Sequence, residues 1–213
     1  MLSFPPCSCE RIWESDGFPV LRAVIDLPCP EECRSIRTFY ALQSRAYLRY
    51  CETFLLPPAN KDLLLTLEES RPFTLHEASL TSKITYQEGS LLSVLLYSRE
   101  DSGLVHCRGD TWDLATGAPV PLSRFLPRRR WKRFFCETAS SELERRIRSG
   151  AARCREDWQR SLRRNLSARN FYLTEEGLSF FVPMYTLGGA ELGIPTFTIP
   201  WKNLRDICKT AAS

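Results

Sequence analysis

Few side chains in this chain could do acid–base or nucleophilic work. It has two histidines, His76 and His106. His106 adjoins Cys107 and lies four residues before Asp110, so a metal or nucleophile site is conceivable there. Zinc sites, however, use paired ligand spacings. No C-x-x-C pair is present, and neither Cys7-x-Cys9 nor Cys29-x3-Cys33 completes a zinc pattern. No metal and no cofactor is therefore expected. A serine hydrolase of the nucleophile-elbow type would carry G-x-S-x-G, which is absent. Glu175-Glu176 sits at the tip of an expected hairpin and reads as solvated turn residues. Leu187-Gly188-Gly189-Ala190 lacks the Lys-Ser/Thr of a phosphate loop. It reads as a turn, or as a ligand-contacting loop on a rigid scaffold. Tyr185, Gly188, Gly189 and Gly193, together with His106, are the candidate ligand contacts. No catalytic residue is assigned, and the chain is expected not to be an enzyme.

Charge supplies the other candidate. The net charge is only +4, but residues 121–170 hold 15 Lys and Arg against 5 Asp and Glu. Arg128, Arg129, Arg130, Lys132 and Arg133 are interleaved with Trp131, Phe134 and Phe135. Such a segment could bind nucleic acid or another anionic polymer. Nothing around it resembles a nucleic-acid-binding motif, so nucleic acid is not an expected partner. The bland reading is a solvated basic face that keeps an otherwise acidic domain soluble.

Composition is ordinary for a globular protein, with 43% hydrophobic and 25% charged residues. Nine scattered cysteines without a signal peptide argue against a disulfide framework. No apolar stretch reaches the roughly 18 residues of a membrane helix. The first residues lack a basic n-region and an apolar h-region, so the expected location is the cytoplasm.

The elements that would position these residues form one α+β domain over residues 18–209, preceded by a loose Pro/Cys/Ser-rich arm, 1–17. Residues 18–27 read as a strand. A helix near 31–56, with Glu31 and Glu32 in its first turn, is expected to stop at Pro57-Pro58. Period-two patterning over 73–120 predicts an antiparallel meander, with a break at Arg108-Gly109. A second long helix is predicted over 140–166 from the stripe Leu143, Ile147, Ala151, Cys154, Trp158, Leu162 and Leu166. A hairpin follows, Phe171-Tyr172-Leu173 against Leu178-Ser179-Phe180-Phe181-Val182, then a third run at 195–200 and a short helix near 201–209. The expected architecture is an antiparallel β-meander sheet packed on one face by the two main helices.

This order of elements, with Trp112-Asp113-Leu114-x-Thr116-Gly117, Asn170-Phe171-Tyr172 and Gly193-Ile194-Pro195-x-Phe197-x-Ile199-Pro200, resembles the RsiV-like C-terminal domain family. That family includes the extracytoplasmic domain of the anti-sigma factor RsiV and the non-catalytic module of the peptidoglycan deacetylase PdaC. The resemblance is strongest over 90–205. It implies a non-enzymatic module that binds a protein or cell-envelope ligand, in the manner of Gram-positive envelope sensing, and an extracytoplasmic location. The RsiV branch senses lysozyme, but a surface as basic as 121–170 would repel a cationic partner. Lysozyme is therefore not carried over. Two alternatives stand beside this reading: an anionic-polymer binder acting through the 128–164 surface, and a hydrolase with an unrecognised site.

Overall fold

The computed structural model describes residues 6–204, so the expected helix at 201–209 lies largely outside the described residues; within them 201–204 are helical. The fold is α+β. One sheet has six strands, in the order β1-β2-β3-β4-β5-β6, and a second has three, β7-β8-β9. The strands are β1 (Pro6–Ser15), β2 (Phe18–Pro28), β3 (His76–Glu88), β4 (Leu91–Glu100), β5 (Val105–Asp113), β6 (Ala118–Pro119), β7 (Phe171–Leu173), β8 (Gly177–Phe181) and β9 (Thr196–Pro200). The helices are α1 (Arg34–Tyr50), α2 (Leu56–Glu68), α3 (Trp131–Arg148) and α4 (Trp158–Asn165). Among the described residues, no helix is long and apolar enough to cross a membrane.

The chain divides into two compact units, residues 1–82 with 97–105, and residues 83–96 with 106–213. In the first unit, the supposed loose arm is strand β1, paired antiparallel along β2. The two-residue turn Asp16-Gly17, both at positive φ, connects them. Asp-Gly with that geometry matches the right-handed twist of a hairpin. Trp13 is buried and donates to Glu52 Oε1 at 3.4 Å, which fastens β1 to the helical layer. β2 buries Leu21, Ala23, Ile25 and Leu27 alternately, alongside Ile36, Tyr40 and Tyr47 of α1 and Leu63 of α2.

Three further expectations are corrected. Pro57-Pro58 does not end the helical path: α1 runs through a π-helical turn, Cys51–Leu55, directly into α2. The prolines occupy the first turn of α2, where N–H groups have no intrahelical partner anyway. Glu31 and Glu32 precede α1, whose first turn contains no acid. The six-stranded sheet is mixed rather than purely antiparallel, because β2 and β3 pair in parallel, Leu21 with His76 through Asp26 with Thr81. Parallel pairing needs a long crossover, which the helical stretch between β2 and β3 provides.

In the second unit, the single helix expected over 140–166 is two. α3 begins at Trp131, so the basic–aromatic segment supplies its start. It ends at Arg148 with Ser149 as its cap, and Gly150 takes φ +74°. Ala151 N donates to Arg146 O at 2.9 Å and Gly150 N to Ile147 O at 3.0 Å. This is the Schellman closure, in which Gly supplies the left-handed residue. The apolar stripe points inward only at its two ends: Leu143 of α3, Trp158 and Leu162 of α4 and Leu166 share one core with Phe135, Ala139, Phe171, Leu173, Leu178, Phe180, Phe197 and Ile199, whereas Ile147 and Ala151, where the helix stops, are exposed. The predicted hairpin is present, with Phe171 opposite Phe180 and Leu173 opposite Leu178. Buried Ser93 on β4 accepts from Leu173 N at 2.9 Å and lies 3.2 Å from Thr111 Oγ1, so β7 keeps its hydrogen bonding where it packs.

Candidate functional site

Helix α3 and strand β9 frame a groove in the second unit. β9 alternates Thr196, Phe197, Thr198 and Ile199. Phe197 and Ile199 are buried, and the threonines are half-exposed. β9 pairs with β8 alone, so it is an edge strand of its sheet among the described residues. With β9, Thr138, Ser141, Glu142 and Arg146 of α3 and Asn203 line the groove. The cavity measures about 440 Å³.

Helical spacing explains the charges. Positions three and four apart share a helix face, and Glu142 receives both Arg145 and Arg146. Arg145 Nη2 reaches Oε1 at 2.6 Å and its Nε reaches Oε2 at 2.9 Å, while Arg146 Nε reaches Oε1 at 2.7 Å. Arg146 also lies over the Phe197 ring, 5.7 Å from its centroid, and donates to Thr196 O at 3.5 Å. The hydrogen bonds from Arg145, then Arg146, hold the Glu142 carboxyl down at about 2. A carboxylate so engaged is ionised at neutral pH and ill suited to donate a proton as a general acid. The groove therefore offers hydroxyls, an amide, one pinned ion cluster and an open strand edge.

The same cluster has a pH signature. A carboxyl whose folded-state pKa is depressed stabilises the fold above its ordinary range, near 4.3, and that contribution is lost as pH falls toward about 2. Glu142→Gln should lower Tm at pH 7 by only about 2 °C, because ion pairs near the surface are weak. The gap between wild type and variant should close as pH drops below the ordinary carboxylate range. Paired thermal melts across pH check it; a gap that widens on acidification would refute the assignment.

The residues singled out in the sequence fall elsewhere, and none of Tyr185, Gly188, Gly189, Gly193 or His106 lines this groove. His106 is exposed on β5. Tyr185 has φ +63° and an exposed side chain. Arg155 Nη2 holds the Tyr185 and Thr186 carbonyls, and Arg155 N donates to Leu187 O at 2.9 Å. Leu187 is fully buried, and a Cβ on Gly188 would stand 2.6 Å from Arg153 O. This loop is thus tied to the α3–α4 connection. Arg128, Arg129 and Arg130 are exposed in the turn before α3, with Lys132 and Arg133 on its first turn. Arg133 pairs with Glu137 at 2.7 Å. Half-buried Cys136 feels the positive charges of Arg163 and Lys132, but burial is the larger influence and pushes this thiol up.

Two features escaped the sequence reading. The groove's α3 wall could have been suspected from Glu142, Arg145 and Arg146 at helical spacing, but its pairing with β9 could not. In the first unit it is His76, not His106, that meets carboxylates: Nε2 lies 3.1 Å from Asp62 Oδ2 and Nδ1 2.9 Å from Asp101 Oδ2. Asp101 also accepts from Glu77 N at 2.9 Å through both oxygens, so it clamps the start of β3.

A family model described as a protein of unknown function, DUF3298, matches residues 129–202. That span runs from the turn before α3 through β9 and carries both walls of the groove. A solved DUF3298 family protein from Pseudomonas aeruginosa PAO1 superposes with a TM-score of 0.63 at 15% identity, covering 96% of this chain and 93% of that one. A member of the same family from Bacteroides fragilis NCTC 9343 gives 0.65 at 12% identity, covering 96% and 92%. At these identities the likeness establishes the fold. No curated protein matches the chain.

Proposed function

We propose that this chain is a non-enzymatic binding module whose ligand lies in the α3–β9 groove, and that it serves cell-envelope recognition outside the membrane, as the RsiV-like domains it resembles do. One observation carries the reading. The groove presents Thr138, Ser141, Thr196, Thr198 and Asn203 around a carboxylate that is already neutralised by two guanidinium groups. Hydroxyl and amide groups at a strand edge suit a ligand rich in amides and hydroxyls, such as a glycan bearing short peptides. The DUF3298 match over this same span is consistent with a shared use of the region.

A second reading rests on Arg128, Arg129, Arg130 and Lys132, exposed together before and at the start of α3. These would hold a polyanion through charge. One titration separates the two readings. Isotope-labelled chain is titrated with soluble muramyl-peptide fragments at low and high salt. The groove reading expects amide shifts concentrated at Thr138, Ser141, Thr196, Thr198 and Asn203. Affinity should change less than about threefold between the salts, since no phosphate neutralisation drives it, and Thr198→Trp should weaken it at least about tenfold, roughly 1.4 kcal/mol. Shifts centred on residues 128–133 with steep salt dependence would move the site to the basic surface. Hydrolysis or deacetylation of the fragments would overturn the non-enzymatic reading altogether.

A further inference from the structure

Three thiols share one cavity at the edge of the six-stranded sheet. Cys7 and Cys9 lie on β1 and Cys29 just beyond β2. All three line a pocket of about 220 Å³ whose other wall includes Arg37, Tyr40 and Arg45 of α1. The strand register accounts for the meeting. Cys7 stands opposite Leu27 and Cys9 opposite Ile25, and residues two apart along a strand point to one face. Cys29 therefore continues the row that Cys7 faces. The neighbouring Cys7 thiol is the largest influence pushing the Cys29 thiol up, ahead of burial. Cys7 is exposed and Cys29 half-buried, so reagents in solution can reach the pair. Among the described residues no group of three or more His, Cys, Asp or Glu is arranged to hold a metal ion. The pair is therefore best understood through thiol–disulfide chemistry.

We propose that Cys7 and Cys29 join in an intramolecular disulfide when the chain meets an oxidising thiol–disulfide pool, stapling edge strand β1 to the start of the β2–α1 connection. The oxidant is a low-molecular-weight disulfide such as glutathione disulfide. The Cys7 thiolate attacks one glutathione sulfur, the glutathione S–S bond breaks, and a mixed disulfide forms with release of one glutathione thiolate. The Cys29 thiolate then attacks the Cys7 sulfur and displaces the second glutathione. The protein loses two thiol protons and gains one S–S bond; the oxidant is reduced to two thiols, which take up the protons. In a reducing cytosol the clamp stays open, and in an oxidising compartment it closes. Closing it encloses the whole β1–β2 hairpin and fixes a strand whose outer edge has no partner among the described residues. This inference is independent of the groove and stands or falls without it.

The test uses the full chain equilibrated across reduced-to-oxidised glutathione ratios, then trapped by alkylation. Cleavage after Arg and Glu gives peptide 23–31, in which Cys29 is the sole cysteine, and peptide 1–10, which carries Cys7 and Cys9. The expected result is a 1–10 to 23–31 cross-link that forms before any other. Fragmentation should assign it to Cys7, and the oxidised chain should melt on the order of 5 °C higher than the reduced one. Cys9→Ser should retain both the link and the shift, whereas Cys7→Ser and Cys29→Ser should lose both. No cross-link in fully oxidised glutathione, or a link from Cys9 or Cys33 to Cys29 formed as readily, would overturn the proposal. Mapping on the wild-type chain decides this even if a variant folds poorly.

Discussion

Phe180→Ala should lower the unfolding free energy by about 4–5 kcal/mol. Phe180 is fully buried on β8, the central strand of the three-stranded sheet. Its ring stacks on Phe135 of α3 with centroids 3.9 Å apart and planes 7° apart. On the other side it meets Phe197 of β9 at 5.4 Å. The lost side chain removes apolar burial, leaves a cavity that the two remaining rings cannot close together, and breaks two aromatic contacts. The consequences reach the groove, because Phe197 is also the ring under Arg146. Phe180→Leu keeps most of the volume and should cost less than about 1.5 kcal/mol. Urea unfolding followed by near-ultraviolet circular dichroism measures both. If the Ala variant loses less than the Leu variant is expected to, the ring stack is not what joins α3 to the sheet.

Gly109→Ala should cost about 3 kcal/mol, although it adds a single methyl group to a strand. A Cβ on Gly109 would stand 1.9 Å from Phe171 O and 2.8 Å from Phe171 C. These are backbone atoms and have no rotamer through which to retreat, so β5 and β7 would have to separate. Phe171 carries core packing against Phe125 at 6.2 Å, so that movement would spread into the core. In a chain of this length a loss of that size lowers Tm by roughly 6–12 °C. A melt within about 2 °C of wild type would show that the strands part freely. This position also explains a misreading. Arg108-Gly109 suggests a break in the strand, but β5 runs unbroken from Val105 to Asp113. The glycine leaves room for a neighbouring backbone instead of ending the strand.

Much of the fold is legible at short range. The hairpin at 171–181 follows from apolar runs around Thr174-Glu175-Glu176-Gly177, and its register places Leu173 opposite Leu178. Two further elements carry equally local signals. Asp16-Gly17 between β1 and β2 is strong hairpin chemistry, yet the Pro/Cys/Ser composition around it suggested a loose arm. Arg148-Ser149-Gly150 is a helix stop, yet the continuing apolar stripe masked it, because α4 resumes on the same buried face. Pro57-Pro58 misled in the opposite sense: the prolines start a helix as readily as they end one.

The sequence by itself determined the mixed helix and strand content, the basic excess between residues 121 and 170, the hairpin and the absence of a recognisable catalytic motif. Each of these depends on composition or on residue spacings of two to four, which backbone geometry dictates locally. Tertiary structure alone decided that β2 and β3 run parallel, that Cys7 meets Cys29, and that Glu142 and Arg146 of α3 face Thr196 and Thr198 of β9. Those partners are tens of residues apart along the chain. What brings them together is the burial of Phe135 against Phe180 and of β2 beneath α1 and α2. No local periodicity records which apolar face will cover which.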